Sequence, residues 1–231
     1  MLLHGFTHTG ASWTGVIEAM GERYRALAPD IRGHGTASRA RPITLARVLH
    51  DLDRLAPQKF VLAGYSMGGR IALHVALALP ERITNLVLIG ASPGIADPGR
   101  RAQRREADER LAAELQRLSI EQLADRWAQT PVLADQPQAV AAVARADRMR
   151  NTPEGLAGAL RGLGTGALSS LWDRLGELSM PVTLIVGDRD ARFRQIAQQM
   201  AQRIPAAELV IVGAAGHAVH LEAPREVAKL I

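Results

Sequence analysis

Short apolar runs alternate along this chain with stretches whose apolar residues recur every three or four positions. Met1–Leu3, Tyr24–Ala28, Phe60–Ala63, Leu86–Ile89, Thr183–Val186 and Leu209–Val212 read as strands. Between them, Trp13–Met20, Leu45–Leu55, Met67–Leu79, Phe193–Arg203 and Pro224–Ile231 carry helical spacing. Such alternation predicts parallel strands joined by crossover helices. The run Leu86-Val87-Leu88-Ile89 has no polar face, as expected of a strand covered on both sides. Between about Pro93 and Leu175 the alternation stops, and Ala, Arg, Glu and Leu dominate with no convincing strand. The expected architecture is an α/β fold with a mostly parallel central sheet and helices on both faces. Its core is expected from residues 1–92 and 176–231, with residues 93–175 inserted as a helical cap.

Composition narrows the function classes. At 231 residues, with 47% apolar and 22% charged residues, the chain fits one large soluble core. No apolar run is long enough to span a bilayer and no basic-then-apolar leader is present, so a cytoplasmic protein without membrane contact is expected. There are no cysteines, and the seven histidines lack paired metal-ligand spacing, so no metal site is expected. The net charge of +5 comes almost entirely from arginines interleaved with acids. With only eight aromatics as well, no nucleic-acid partner is expected. Arginine equally suits a small anionic substrate, since its planar fork holds a carboxylate through two hydrogen bonds. From Gly94 to Thr165, eleven arginines face ten acids. Arg100, Arg101, Arg104 and Arg105 are accordingly expected to form a solvated face paired with Glu106, Asp108 and Glu109.

The sharpest chemical signal is Gly64-Tyr65-Ser66-Met67-Gly68, between the strand Phe60–Ala63 and a helix. A serine on a tight strand-to-helix turn, with glycines allowing close approach, is the G-x-S-x-G nucleophile elbow. Its hydroxyl needs a base, and His217 in Gly213-Ala214-Ala215-Gly216-His217 directly follows a strand. His74 and His220 read as packing or surface residues. The base needs a carboxylate, and Gly187-Asp188-Arg189-Asp190 offers Asp190, with Asp188 read as a turn or cap residue. The order serine, acid, histidine suits this arrangement. Backbone N–H groups of Phe6 and Met67 are the candidate donors to a developing oxyanion, with His4 bracing its own turn. Asp30-Ile31-Arg32-Gly33-His34-Gly35 reads as a fixed loop without a chemical role.

These segments together resemble the α/β-hydrolase superfamily. More specific ones resemble 2-succinyl-6-hydroxy-2,4-cyclohexadiene-1-carboxylate synthases of menaquinone biosynthesis. They are Gly64 through Arg70, Gly90-Ala91-Ser92-Pro93-Gly94, Arg126 through Pro131, and Gly155-Leu156 with Gly162 through Gly166. The resemblance implies a cofactor-free lyase in which Ser66, activated by His217, removes a proton from carbon and pyruvate is eliminated. It further implies substrate contacts from Tyr65, Arg70, Arg104, Trp127 and Arg148. Family members normally carry an edge hairpin before the His-Gly-Phe strand. Its absence here would leave Tyr24–Ala28 as a bare sheet edge. The rival expectations are a carboxylesterase or carbon–carbon-bond hydrolase using the same three residues, and a non-catalytic ligand receptor.

Overall fold

The structure, a computed structural model, describes residues 1–231. Five parallel strands lie side by side in chain order: β1 (Leu2–Leu3), β2 (Phe60–Tyr65), β3 (Ile83–Ile89), β4 (Val182–Gly187) and β5 (Ala207–Val212). The crossovers are α1 (Thr14–Met20) and α2 (Leu45–Leu55) between β1 and β2, α3 (Met67–Ala78) between β2 and β3, and α8 (Ala191–Ala201) between β4 and β5. The chain ends in α9 (Val219–Glu222) and α10 (Pro224–Leu230).

Successive strand residues point to opposite faces, and each face is covered. Leu86 and Leu88 of β3 join Val48 and Leu52 of α2 and Ile71 and Val75 of α3. Val87 and Ile89 face the other way, onto Val16 and Met20 of α1 and Val227 of α10. This two-sided burial explains why the run has no polar position. β5, at the sheet edge, is less covered, and its Ile211 is 47% exposed.

The expected strand at Tyr24–Ala28 does not form. Only one backbone bond ties it to the sheet, Leu2 N–H to Leu27 O at 2.8 Å, because the two-residue β1 offers no longer ladder. Tyr24 is exposed and turns away from any core.

Between β3 and β4 lie four α-helices, a short 3-10 helix (Trp172–Glu177) and no strand: the α-helices are α4 (Pro98–Leu115), α5 (Ile120–Ala128), α6 (Gln138–Arg148) and α7 (Pro153–Leu163). Side-chain caps fix the starts of three of them, and α6 follows Pro137 without one. Asp97 accepts from Arg100 N–H at 2.6 Å, Thr152 accepts from Gly155 N–H at 3.1 Å, and Ser119 forms a reciprocal capping box with Gln122. Ala112, Leu115, Leu123, Leu156, Ala157 and Leu160 give these helices a small apolar core of their own. The expected charge pairing on α4 is partly redrawn. Arg104 holds Asp108 at 2.7 Å, but Glu109 reaches across to Arg161 on α7 and Glu106 lies 4.0 Å from Arg110. Helix-to-helix packing brings Arg161 to 2.8 Å from Glu109, and no arginine of α4 pairs with that carboxylate. No helix is long and apolar enough to cross a membrane.

Candidate active site

The turn from β2 into α3 presents Ser66 at the carboxyl end of the sheet. Its backbone is strained, with φ at +51° and ψ at −107°. The strain is held from both sides: Ser66 N–H donates to Ile89 O at 2.8 Å, and Ser66 O accepts from Arg70 N–H at 3.0 Å. The flanking glycines are sterically required. A Cβ on Gly64 would stand 2.5 Å from Gly68 O, and one on Gly68 would press into Leu3 O. Gly68→Ala is therefore expected to lower unfolding free energy by about 1–3 kcal/mol, as overpacking does. A denaturant midpoint equal to wild type would contradict that.

His217 lies on the loop after β5, and Asp190 caps α8 just after β4. Asp190 Oδ1 accepts from Phe193 N–H at 3.1 Å, which leaves Oδ2 for His217 Nδ1 at 2.6 Å. His217 Nε2 then faces Ser66 Oγ at 3.2 Å. With Nδ1–H donating to the carboxylate, Nε2 carries the lone pair that can accept the serine proton. Both partners are buried, and Phe193 packs its ring 4.4 Å from that of His217. Asp188 accepts from Ala214 N–H and Ala215 N–H at 3.0 and 3.2 Å, and so shapes the histidine loop. His4 spans two turns: Nδ1–H donates to Gly5 O and Nε2 accepts from Ile31 N–H, both at 2.9 Å. Burial lowers its pKa to about 4, which keeps it neutral. His220 is sandwiched near Tyr65 and Trp13, and His74 lies half-buried on α3.

A cavity of about 280 Å³ opens above this relay. Ser66, Met67, His217 and Phe6 lie on its wall, so the nucleophile, the base and both candidate donor residues share one space. Met67 is the first residue of α3, where a backbone N–H has no partner within its own helix. Arg70, Arg104 and Trp127 line the same cavity.

The sequence profile of the α/β-hydrolase fold family matches residues 1–224. A relative from Salmonella agona (strain SL483), a 2-succinyl-6-hydroxy-2,4-cyclohexadiene-1-carboxylate synthase, is 33% identical over 97% of this chain and 88% of its own. The solved structure of MenH from S. aureus superposes with a TM-score of 0.93 at 32% identity, covering 99% of this chain and 90% of that one. The chain belongs to the 2-succinyl-6-hydroxy-2,4-cyclohexadiene-1-carboxylate synthase family, on the α/β-hydrolase fold. A thermophilic esterase from Thermogutta terrifontis, solved with malate bound, is also similar. It is 27% identical with a TM-score of 0.86, covering 99% of this chain and 86% of its own.

Arg70, one turn into buried α3, donates to Thr165 Oγ1 at 2.5 Å and to Leu163 O at 3.1 Å, while its Nε has no partner. Burial pushes its pKa down to about 10, so it stays charged at neutral pH. Arg104 is less buried, and its Nε is taken by Asp108. Two of the implied contacts fall elsewhere. Tyr65 faces away from the cavity, since its strand position turns it toward His220 and Trp13, and burial raises its phenol pKa. Arg148 lies outside the cavity wall at the end of α6, fully buried, with none of its three guanidinium nitrogens bonded. Burial depresses its pKa. Sequence reasoning missed Arg192, Phe193 and Thr165, which also line the cavity. The signal was available for the first two. Asp190 caps α8, so the first turn of that helix must sit beside the histidine.

Proposed function

We propose that this protein is a lyase that eliminates pyruvate from 2-succinyl-5-enolpyruvyl-6-hydroxy-3-cyclohexene-1-carboxylate. The product is 2-succinyl-6-hydroxy-2,4-cyclohexadiene-1-carboxylate. The observation that carries this reading is the joining of two features in one cavity. A Ser66–His217–Asp190 relay stands on the same wall as Arg70, Arg104 and Arg192. A hydrolase of neutral esters has no use for three cations there, whereas a polycarboxylate substrate does.

The double-bond positions in substrate and product define the proton and the leaving group. Ser66 Oγ, as its own proton passes to His217 Nε2, takes the proton from the ring carbon that bears the succinyl group. The electron pair of that C–H bond forms the new double bond, the ring double bond shifts, and the C–O bond to enolpyruvate breaks. The side chain leaves as the enolate of pyruvate, and the proton held by His217 passes to it, which gives pyruvate and returns the imidazole to its neutral form. During proton removal, negative charge gathers on the succinyl carbonyl oxygen, where the N–H groups of Phe6 and Met67 would donate to it. Asp190 stabilises the imidazolium formed on the way. Residues 93–175 act in this account as a cap that closes the polar cavity over the substrate, and Trp127 supplies an apolar wall within it. Arg148, buried and without a bonded partner, would take a substrate carboxylate only once the cap had moved to admit it. Tyr65 then serves by packing behind the relay.

Arg70→Gln is expected to raise KM at least tenfold, the loss of about 1.5–3 kcal/mol associated with a charged hydrogen bond. An unchanged KM would remove Arg70 from substrate binding. The apolar part of the wall, including Val132, Leu160 and Ile196, supports a second reading as a carboxylesterase. Comparing kcat/KM for the cyclohexene precursor with that for 4-nitrophenyl acetate separates the two. The lyase reading requires a large excess for the precursor, and the esterase reading requires the reverse.

A further inference from the structure

The loop after β1 carries a residue in a conformation that its own side chain opposes. Thr7, immediately after the candidate donor Phe6, has φ at +67°. A β-branched residue is disfavoured in this left-handed region. Its hydroxyl gives nothing back, because Thr7 is completely buried and Oγ1 has no hydrogen-bond partner. Such a backbone persists only where the surroundings over-determine it.

The surroundings that do so come from the α6–α7 junction, more than 130 residues along the chain. Asn151 Nδ2 donates to Thr7 O at 2.8 Å, while its Oδ1 accepts from Gly35 N–H at 3.0 Å. Asp147 Oδ2 accepts from His8 Nδ1–H and from Thr9 N–H, each at 2.9 Å, and Oδ1 accepts from the Thr9 hydroxyl. Every residue from Thr7 to Thr9 is thus fastened to that junction. Asp147 and Asn151 are themselves buried, and neither lines the cavity.

We propose that Asp147 and Asn151 are positioning residues that force the Phe6–Thr9 loop into its strained form and thereby aim the Phe6 N–H at the developing oxyanion. Docking of the inserted helices and assembly of the donor pair then become one event. This inference rests on reading Phe6 N–H as an oxyanion donor, as set out above.

The test uses Asn151→Ala, Asp147→Ala and Asp147→Asn in the full-length protein, each with its unfolding midpoint measured. A donor needed only in the transition state is lost in kcat rather than KM. Asn151→Ala and Asp147→Ala are expected to lower kcat for pyruvate release by at least about tenfold, with KM changed by less than about threefold. Asp147→Asn keeps an acceptor for Thr9 N–H and is expected to retain more activity than Asp147→Ala. The deciding variant adds Thr7→Gly to Asn151→Ala. Glycine adopts positive φ unaided, so most of the lost kcat should return. A role in stability alone predicts losses that follow the unfolding midpoint, so that variant molecules still folded at the assay temperature would turn over at the wild-type kcat with the Phe6 resonance unmoved. In amide NMR spectra the Phe6 resonance should shift in Asn151→Ala and move back in the double variant, whatever the substrate. If wild type proved inactive on the precursor, the proposed function would fail while the NMR comparison still judged this inference. Folded alanine variants with wild-type kcat and an unmoved Phe6 resonance would overturn it, as would losses that Thr7→Gly does not reverse.

Discussion

Ser66→Ala is expected to lower kcat for pyruvate release by at least about 10³-fold while leaving the protein folded, as nucleophile removals do in serine enzymes. The hydroxyl is the only acid–base group on the cavity wall within bonding distance of His217 Nε2, at 3.2 Å. Without it the imidazole could reach the substrate only through water. Folding should survive, because the turn is held by Ser66 N–H and O and by the glycine contacts, and the side chain takes no part in capping α3. The check is single-substrate kinetics beside a circular dichroism spectrum. Retained turnover would remove Ser66 from the chemistry and leave His217 as the base.

Asp190→Asn is the second large effect, a fall of about 10²–10⁴-fold in kcat, the range set by wrong-tautomer losses in serine proteases. Asp190 has two duties, one per oxygen. Oδ1 holds the start of α8 through Phe193 N–H, and Oδ2 receives His217 Nδ1–H at 2.6 Å. An asparagine can keep the first duty with its carbonyl, but it then turns NH2 toward His217. The imidazole would answer by carrying its proton on Nε2, which faces Ser66 with a donor where an acceptor is required. Stability should change little and activity much. A variant with comparable losses in both would instead make Asp190 chiefly a helix cap.

The strand-to-helix alternation and the elbow were legible because each is local. β2, α3 and β4 lie where apolar periodicity put them, with ends shifted by one or two residues, and α2 matches its expected range. The strand Tyr24–Ala28 was misread because composition cannot tell an extended segment from one with a partner. Its neighbour β1 is two residues long and supplies a single bond. Ser66, His217 and Asp190 meet as their loop positions suggested, since all three follow strands of one parallel sheet. The inserted helices were harder, because a side chain there depends on how α4 to α7 pack on one another. Arg104 reached the cavity, Arg148 did not, and Glu109 exchanged its expected partner for Arg161. Thr7 could not be found from sequence at all, because its strain is imposed by Asp147 and Asn151 far along the chain.

The central claim is that this relay removes a proton from carbon. Its most direct test follows pyruvate and the conjugated diene together as purified wild-type protein acts on the freshly generated cyclohexene precursor. The account predicts catalytic release of one pyruvate for each diene formed, far above the spontaneous rate. A folded protein that releases no pyruvate above that rate, yet turns over 4-nitrophenyl acetate quickly, would contradict it and make the protein an esterase on the same scaffold.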